Sequence, residues 1–144
     1  MAELQVSGIE GLMLSLKELE EIPDDVKDEM LNAGADVVVP ALKAKIVAYG
    51  ILDTGTTERS IKKGKPKNAK GGGRVIYVNA VGSRTRGKNK KTTTRNAEIL
   101  FLNEYGTRKI KARPAVRDSA EESAEAVERA QADIYDKYLK SKDL

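Results

Sequence analysis

The sequence contains no cysteine and no histidine. The first absence excludes disulfides, thiolate chemistry and cysteine-based metal sites, and it fits a reducing compartment. The second removes the usual general base near neutral pH and the commonest zinc ligand. Tryptophan is absent too, phenylalanine occurs once, and aromatics make up only 4% of the chain. A core must therefore come from Val, Ile, Leu and Ala. No apolar run approaches the ~20 residues that span a bilayer. The N-terminal stretch lacks the basic segment and apolar run of a signal peptide. These features predict a soluble protein made in the cytoplasm, with no membrane partner.

Acidic residues are missing from one long stretch. Residues 59–97 hold 13 Lys or Arg and no Asp or Glu, whereas the rest of the chain sets 13 basic residues against 22 acidic ones. The net charge of +4 thus hides two regions of opposite sign. The length, 144 residues, fits one domain over 1–144. Charged residues reach 33%, above the usual ~25%. That fits a thin domain with much exposed surface, or one completed by neighbouring subunits.

The pattern predicts three parts: a helical half over 1–50, a basic β-hairpin region with a turn over 51–112, and a C-terminal helix over 113–144. After a short alternation at Leu4 and Val6, the spacing of Ile9, Leu12 or Met13, Leu16 and Leu19 is helical. Pro23 interrupts it, and Asp24 or Asp25 suits a helix N-cap. A second helix is predicted over 25–48, with a stripe of Val26, Met30, Ala33, Val37, Ala41, Ala44 and Ala48. Pro40 lies within it. The stripe resumes in phase beyond the proline, which favours one kinked helix over a short strand at Val37-Val38-Val39. Gly50 suits its C-terminal cap. Thr56 or Thr57 can start a short helical turn carrying Arg59 and Ile61.

Residues 64–73 (GKPKNAKGGG) and 82–95 (GSRTRGKNKKTTTR) read as mobile basic loops on either side of a strand at 74–81. Asn96 to Leu102 reads as a return strand for 74–81 or as a helix: Ile99-Leu100-Phe101-Leu102 is uniformly apolar, so alternation does not decide, and Ala97, Leu100, Phe101 and Glu104, which suit one face of a short helix, favour the helix. From Pro114 onward, Val116, Ala120, Ala124, Val127, Ala130 or Gln131, Ile134 and Tyr138 form a continuous helical stripe. Pro114 suits the first helical position. The fold class that follows is α+β: N-terminal helices, a small antiparallel sheet with long basic loops, and a long C-terminal helix packed on the sheet.

Candidate chemistry is sparse. Gly71-Gly72-Gly73-Arg74 has the residue types of a phosphate cradle, but it precedes a strand rather than a helix, so a hairpin turn is the better reading. Asp24, Asp25, Asp28 and Glu29 are clustered carboxylates that capping and solvation explain. Ser60, Ser83 and Ser119 have no histidine to activate them. No catalytic residue, cofactor site or metal site is predicted, and the chain reads as a non-enzyme. The basic segment 59–95 is the strongest functional signal. Lys62, Lys63, Lys65, Lys67, Lys70, Arg84, Arg86, Lys88, Lys90 and Lys91 can dock a partner, contact DNA phosphates, or serve only as solvated loops. Tyr77 alone interleaves with them, so a base-stacking platform is missing.

Glu104-Tyr105-Gly106-Thr107, followed by Arg113 and Pro114, reads as a structural corner. Gly106 permits a tight turn. Glu104 can bond turn amides or pair with Arg113 or Arg117, and Pro114 launches the helix. These residues also carry a resemblance. Phe101-Leu102-Asn103-Glu104-Tyr105-Gly106-Thr107, then Ala112-Arg113-Pro114 and Arg117, resembles the head–tail joining, or tail-completion, proteins of long-tailed bacteriophages and prophages. Thr54-Gly55-Thr56-Thr57-Glu58-Arg59-Ser60-Ile61 matches their Thr-Gly-x-x-x-x-Ser-Ile element, and the order of parts agrees over roughly residues 25–125. Lys111 stands where that family often has Pro, and Ala115 where it often has an aromatic. The resemblance implies a structural virion protein at the neck, present in the host cytoplasm during assembly. It implies a ring, a hexamer on the sixfold tail axis, with the head connector and tail-tube proteins as partners.

Overall fold

The computed structural model describes residues 2–6, 11–16, 22–51, 56–70, 72–86 and 92–142. Among these residues, seven strands and four helices follow in the order β1 (Ala2–Val6), β2 (Leu12–Leu16), α1 (Asp24–Ala48), α2 (Thr56–Arg59), β3 (Ile61–Lys63), β4 (Lys67–Asn68), β5 (Arg74–Ala80), β6 (Ser83–Arg86), β7 (Thr92–Arg95), α3 (Asn96–Tyr105) and α4 (Ala115–Ser141). The class is α+β, as the sequence implies.

The main sheet is antiparallel, with order β1-β2-β5-β3 and β4 on the same edge of β5 as β3. Leu12 and Leu14 pair with Val78 and Ile76. These four are fully buried on one face, joined by Ile61 and Ala80. That face packs against α1, which contributes Met30, Leu31, Ala35, Val38, Leu42 and Ile46, and against α4, which contributes Val116, Ala120 and Val127. α1 lies over β2, β5 and β3, while α4 lies beside α1 and over β1. Gly34 allows the two helices and β2 to approach closely. A Cβ there would sit 3.0 Å from Gln131 Nε2 and 3.2 Å from both Leu14 Cδ2 and Val127 Cγ1.

Three expectations are corrected. The segment expected to be helical from Ile9 contains β2, so the first half is not all helix. Leu12 and Leu14 alternate with Met13, and pairing with β5 buries both leucines, which a strand achieves and an isolated short helix does not. Ile9 and Leu19 lie outside the described residues. In α1 the buried stripe is Met30, Leu31, Gly34, Ala35, Val38, Leu42 and Ile46, while Ala44 and Ala48 are exposed. Two apolar stripes lie side by side on this helix, and the larger side chains take the core because burial gain scales with apolar area. In α4, Ser119 and Ser123 are buried and Ala124 is exposed. The serine hydroxyls are satisfied within the helix, Ser119 donating to the Val116 carbonyl at 3.0 Å and Ser123 to the Ser119 carbonyl at 2.6 Å.

Other expectations hold. α1 runs through Pro40 as one helix, with the proline on its exposed side. Its N-cap, however, is Pro23, without a side-chain cap, and not Asp24 or Asp25 as expected; both aspartates fall in the first turn, where their charge suits the helix dipole. It ends in a Schellman motif: Ile51 N–H donates to the Ile46 carbonyl at 3.0 Å and Gly50 N–H to the Val47 carbonyl at 3.1 Å. Gly50 takes φ 72°, and Ile51 and Ile46 both enter the core. β5 and the helical state of Ile99 to Leu102 in α3 are also as expected.

Candidate interaction surface

The segment expected as a loop over 64–73 is largely one arm of a hairpin. β3 pairs with β5 as Ile61↔Ala80 to Lys63↔Val78, and Gly64 N–H continues the ladder to the Tyr77 carbonyl at 2.8 Å. β4 then pairs as Lys67↔Val75 and Asn68↔Arg74. The register shifts by one residue between the two, so Lys65 and Pro66 together face Ile76, a β-bulge. Pro66 has no N–H to offer the ladder, which explains the break there. The tip closes with Ala69 N–H to the Gly73 carbonyl at 3.0 Å, with Gly72 and Gly73 both at positive φ. Gly72 and Gly73 lie in a hairpin turn, as expected, and not in a phosphate cradle at a helix start.

The second expected loop, 82–95, carries the β6–β7 ladder from Ser83↔Arg95 to Arg86↔Thr92. Asn96 closes its base: its N–H donates to the Gly82 carbonyl at 3.0 Å and its Nδ2 to the Val81 carbonyl at 2.8 Å. Arg84 and Arg86 lie on β6. Lys88, Lys90 and Lys91 lie outside the described residues, as do Thr54 and Gly55 of the Thr-Gly element.

The predicted docking lysines divide by strand face. Lys63 points to the helix side and pairs with Asp36 of α1 at 2.8 Å. Arg74 does the same, its guanidinium donating twice to the Asp28 carboxylate at 2.9 and 2.8 Å and once to Asn68 Oδ1 at 3.0 Å. Asp28, grouped in the sequence with Asp24, Asp25 and Glu29, thus has a structural partner that composition did not reveal. Lys62 and Lys67 pair with Asn79 and Val75, on the opposite face, where the Lys67 ammonium sits 4.7 Å from the Tyr77 ring centroid. Lys62, Lys65, Lys67 and Lys70 are exposed and make no ion pair among the described residues.

The corner residues come together at the start of α4. Pro114, at φ −80° and ψ 67°, forms an inverse γ-turn in which Ala115 N–H donates to the Arg113 carbonyl at 2.8 Å. The helix therefore begins one residue later than expected, and Pro114 offers it no side-chain cap. Glu104 supplies the cap from α3. One carboxylate oxygen accepts Val116 N–H at 2.8 Å and the other accepts Arg117 N–H at 3.0 Å. Burial pushes the Glu104 carboxyl above the usual carboxylate range, against the opposing pull of these two amides.

Arg113 makes no pair with Glu104. It ties α3 to the end of α1 instead: Nη2 donates to Asn103 Oδ1 at 2.7 Å, and Nη1 to the Tyr49 and Gly50 carbonyls at 3.2 Å each. The last two are carbonyls left over at the end of α1, where the helix dipole favours a cation. Gly106 takes φ 75° and ψ 174°, and Thr107 turns the chain, its Oγ1 accepting Lys109 and Ile110 N–H at 3.2 and 3.1 Å. Tyr105 is not part of the packed corner. It is 56% exposed, stacked obliquely on Phe101, and with Leu102 and Ile110 it leaves apolar surface open beside the turn. Sequence reading placed Tyr105 in the corner and missed this surface. Its signal is the position of Leu102, off the buried face made by Ala97, Leu100 and Glu104.

The outer surface of α4 carries a second feature, in acids that the sequence reads as suiting the helix dipole. Glu121, Glu125 and Glu128 recur at helical spacing on its exposed side, with no acid buried among them. Glu122, one residue round, is engaged by Lys45 of α1 at 2.7 Å. Among the described residues, no group of three or more Asp or Glu is placed to hold a metal ion. No helix among the described residues is long and apolar enough to cross a membrane. Compared with known protein families, curated proteins and solved structures, the chain matches none.

Proposed function

We propose that this chain is a structural subunit of a tailed phage or prophage particle, a ring-forming protein that completes the tail at the head–tail interface. The observation that carries the reading is the ordered motif set that ends in Glu104-Tyr105-Gly106-Thr107 and Ala112-Arg113-Pro114. Its residues are spent on joining α1, α3 and α4 at one point. A motif used to fix a scaffold, rather than to hold a substrate, suits a mechanical role. The exposed lysines of the β3–β5 hairpin and the open apolar surface at Tyr105 suit a protein with neighbours on several sides. The reading calls for no reaction and no cofactor. Its partners are further copies of the chain, the head connector and the tail tube.

A second reading is a nucleic-acid-binding module using the basic segment 59–95. Lys62, Lys65, Lys67 and Lys70, exposed along one hairpin, favour it. The two separate on assembly and salt. Electron microscopy and light scattering of the purified protein should show concentration-dependent rings, and duplex DNA should bind weakly with a shallow salt dependence. A protein that stays monomeric while its DNA affinity falls steeply with salt would replace the first reading with the second.

A further inference from the structure

The charges segregated along the sequence are also segregated in space. The basic arm, β3 and β4, is one edge of the main sheet. The opposite edge is β1, and α4 lies over β1. The exposed stripe of Glu121, Glu125 and Glu128 and the exposed Lys62, Lys65, Lys67 and Lys70 therefore sit at opposite ends of the sheet, the glutamates in the helix layer and Lys62 and Lys67 on the outer face. Within one chain they are kept apart. Between two chains set so that the helix layer of one meets the outer face of the next at its basic edge, the acidic helix of one faces those lysines. We propose that copies of this chain associate head to tail through this contact.

The basic arm is shaped for such a partner. An open sheet edge invites strand addition, but Pro66 and the bulge at Lys65 interrupt this one, and its lysines oppose a second strand of like kind. A helix presents no backbone donors along its length, so side-chain charge is what it offers. Across α4 from Asp118 to Glu128 the sequence has five acids and no base, bounded by Arg117 and Arg129, and Arg129 lies 3.7 Å from the Glu125 carboxylate in an exposed pair that a partner's lysines can replace. Ala124 lies exposed between the glutamates and lets a partner approach closely. The contact joins two different surfaces, so repetition gives a ring if the rotation closes and a filament if it does not. The proposal rests on the ring-subunit reading and names the surfaces that build the ring.

The experiment is a charge swap read by sedimentation and light scattering at low and high salt. Wild type should associate at low salt and dissociate as salt rises. The variant E121K/E125K/E128K and the variant K62E/K65E/K67E/K70E should each be monomeric alone. Mixed in equal amounts they should associate again, because each then offers what the other needs. All seven positions are exposed, and unchanged thermal melting confirms the fold. If melting changes, the neutral variants E121Q/E125Q/E128Q and K62Q/K65Q/K67Q/K70Q should weaken association at least tenfold. Rings that persist in both reversed variants overturn this contact and leave the ring reading standing. A wild-type chain that is monomeric at every salt and concentration overturns both.

Discussion

Glu104, near the end of α3, caps a helix to which it does not belong: its two carboxylate oxygens accept the backbone N–H groups of Val116 and Arg117. These are the second and third residues of α4, whose own N-cap, Pro114, has no side chain able to do so. The bond spans 12 and 13 residues of chain and includes the whole turn between the helices. It makes the orientation of α4 depend on α3. Arg113 adds the end of α1 to the same junction.

Replacing Glu104 by alanine leaves both amides without their partner. A cap loss with a buried N–H costs about 1–3 kcal/mol, and urea denaturation should show a loss of that size. The isosteric E104Q keeps one acceptor and should fall between. The pH dependence has a definite sign. Burial raises the carboxyl in the folded state, so the folded chain binds more protons and its stability falls as pH rises through that folded value. Wild type should therefore lose stability relative to E104Q between about pH 4 and neutrality. A difference that stays constant across this range would show that the two amides offset burial completely.

Tyr49 and Asp118 give a second junction with the opposite pH behaviour at acid pH. The Tyr49 hydroxyl donates to the Asp118 carboxylate. The bond lowers the Asp118 carboxyl and raises the Tyr49 hydroxyl. The Asp118 contribution is present above the unfolded carboxylate value and is lost as pH falls through the lower, folded one. The Tyr49 contribution is present below the unfolded phenol value and is lost as pH rises through the higher, folded one. Y49F should flatten the stability profile at both limits, below about pH 4 and above about pH 10. Melting temperatures of the two proteins across the full range test this, and parallel curves would count against it.

Much of this architecture is legible in the sequence where the signal is local. Gly50 after a helical stripe reads as a C-terminal cap, and the Schellman bonds form there. The periodicity of α4 identifies that helix, and at residues 96–105 it favours a helix without excluding a strand. The signal fails where two local patterns fit equally well. Leu12, Leu14 and Leu16 alternate, yet Leu12 and Leu16 also fit a helix, and only the presence of β5 alongside decides. It fails again for long-range bonds. Glu104 reads as a turn residue or an ion-pair partner, because nothing nearby in sequence shows that it reaches the amides of another helix. The lysines between 62 and 70 read as a loop because Pro66 and the glycines mask a strand that is real on both sides of a bulge.

Gly34 looks from the sequence like a weak point in α1, since glycine costs ~1 kcal/mol relative to alanine in a helix interior. Packing reverses that reading. The missing side chain is what lets Gln131, Leu14 and Val127 close over the backbone. All three neighbours are themselves buried or in the core, so they have little room to yield. Overpacking of this kind costs about 1–3 kcal/mol, and G34A should be destabilised despite its better helix propensity. G34L should be worse still, with the α1–α4 contact forced apart. An alanine variant more stable than wild type would show that the interface relaxes.

Gly106 and Gly50 make a controlled comparison, since both take positive φ near the same junction. At Gly50 a Cβ would meet only the Arg113 guanidinium, at 3.6 Å, an ordinary contact with a flexible group. The cost of G50A is then the backbone conformation alone, about 1–2 kcal/mol. At Gly106 a Cβ would lie 2.8 Å from Ala112 N and 2.9 Å from the Ile110 carbonyl oxygen. Those are backbone atoms of the turn, held by Thr107 N–H to the Ile110 carbonyl at 2.8 Å. The φ and ψ there, 75° and 174°, also belong to a region open almost only to glycine. G106A should therefore cost about 3 kcal/mol or more, clearly beyond G50A in the same denaturation assay. Because the displaced turn carries Arg113 and leads into α4, G106A should also lower α4 protection in hydrogen exchange, whereas G50A should not. Equal losses in the two variants would mean that the corner bends without strain and that Glu104 alone orients α4.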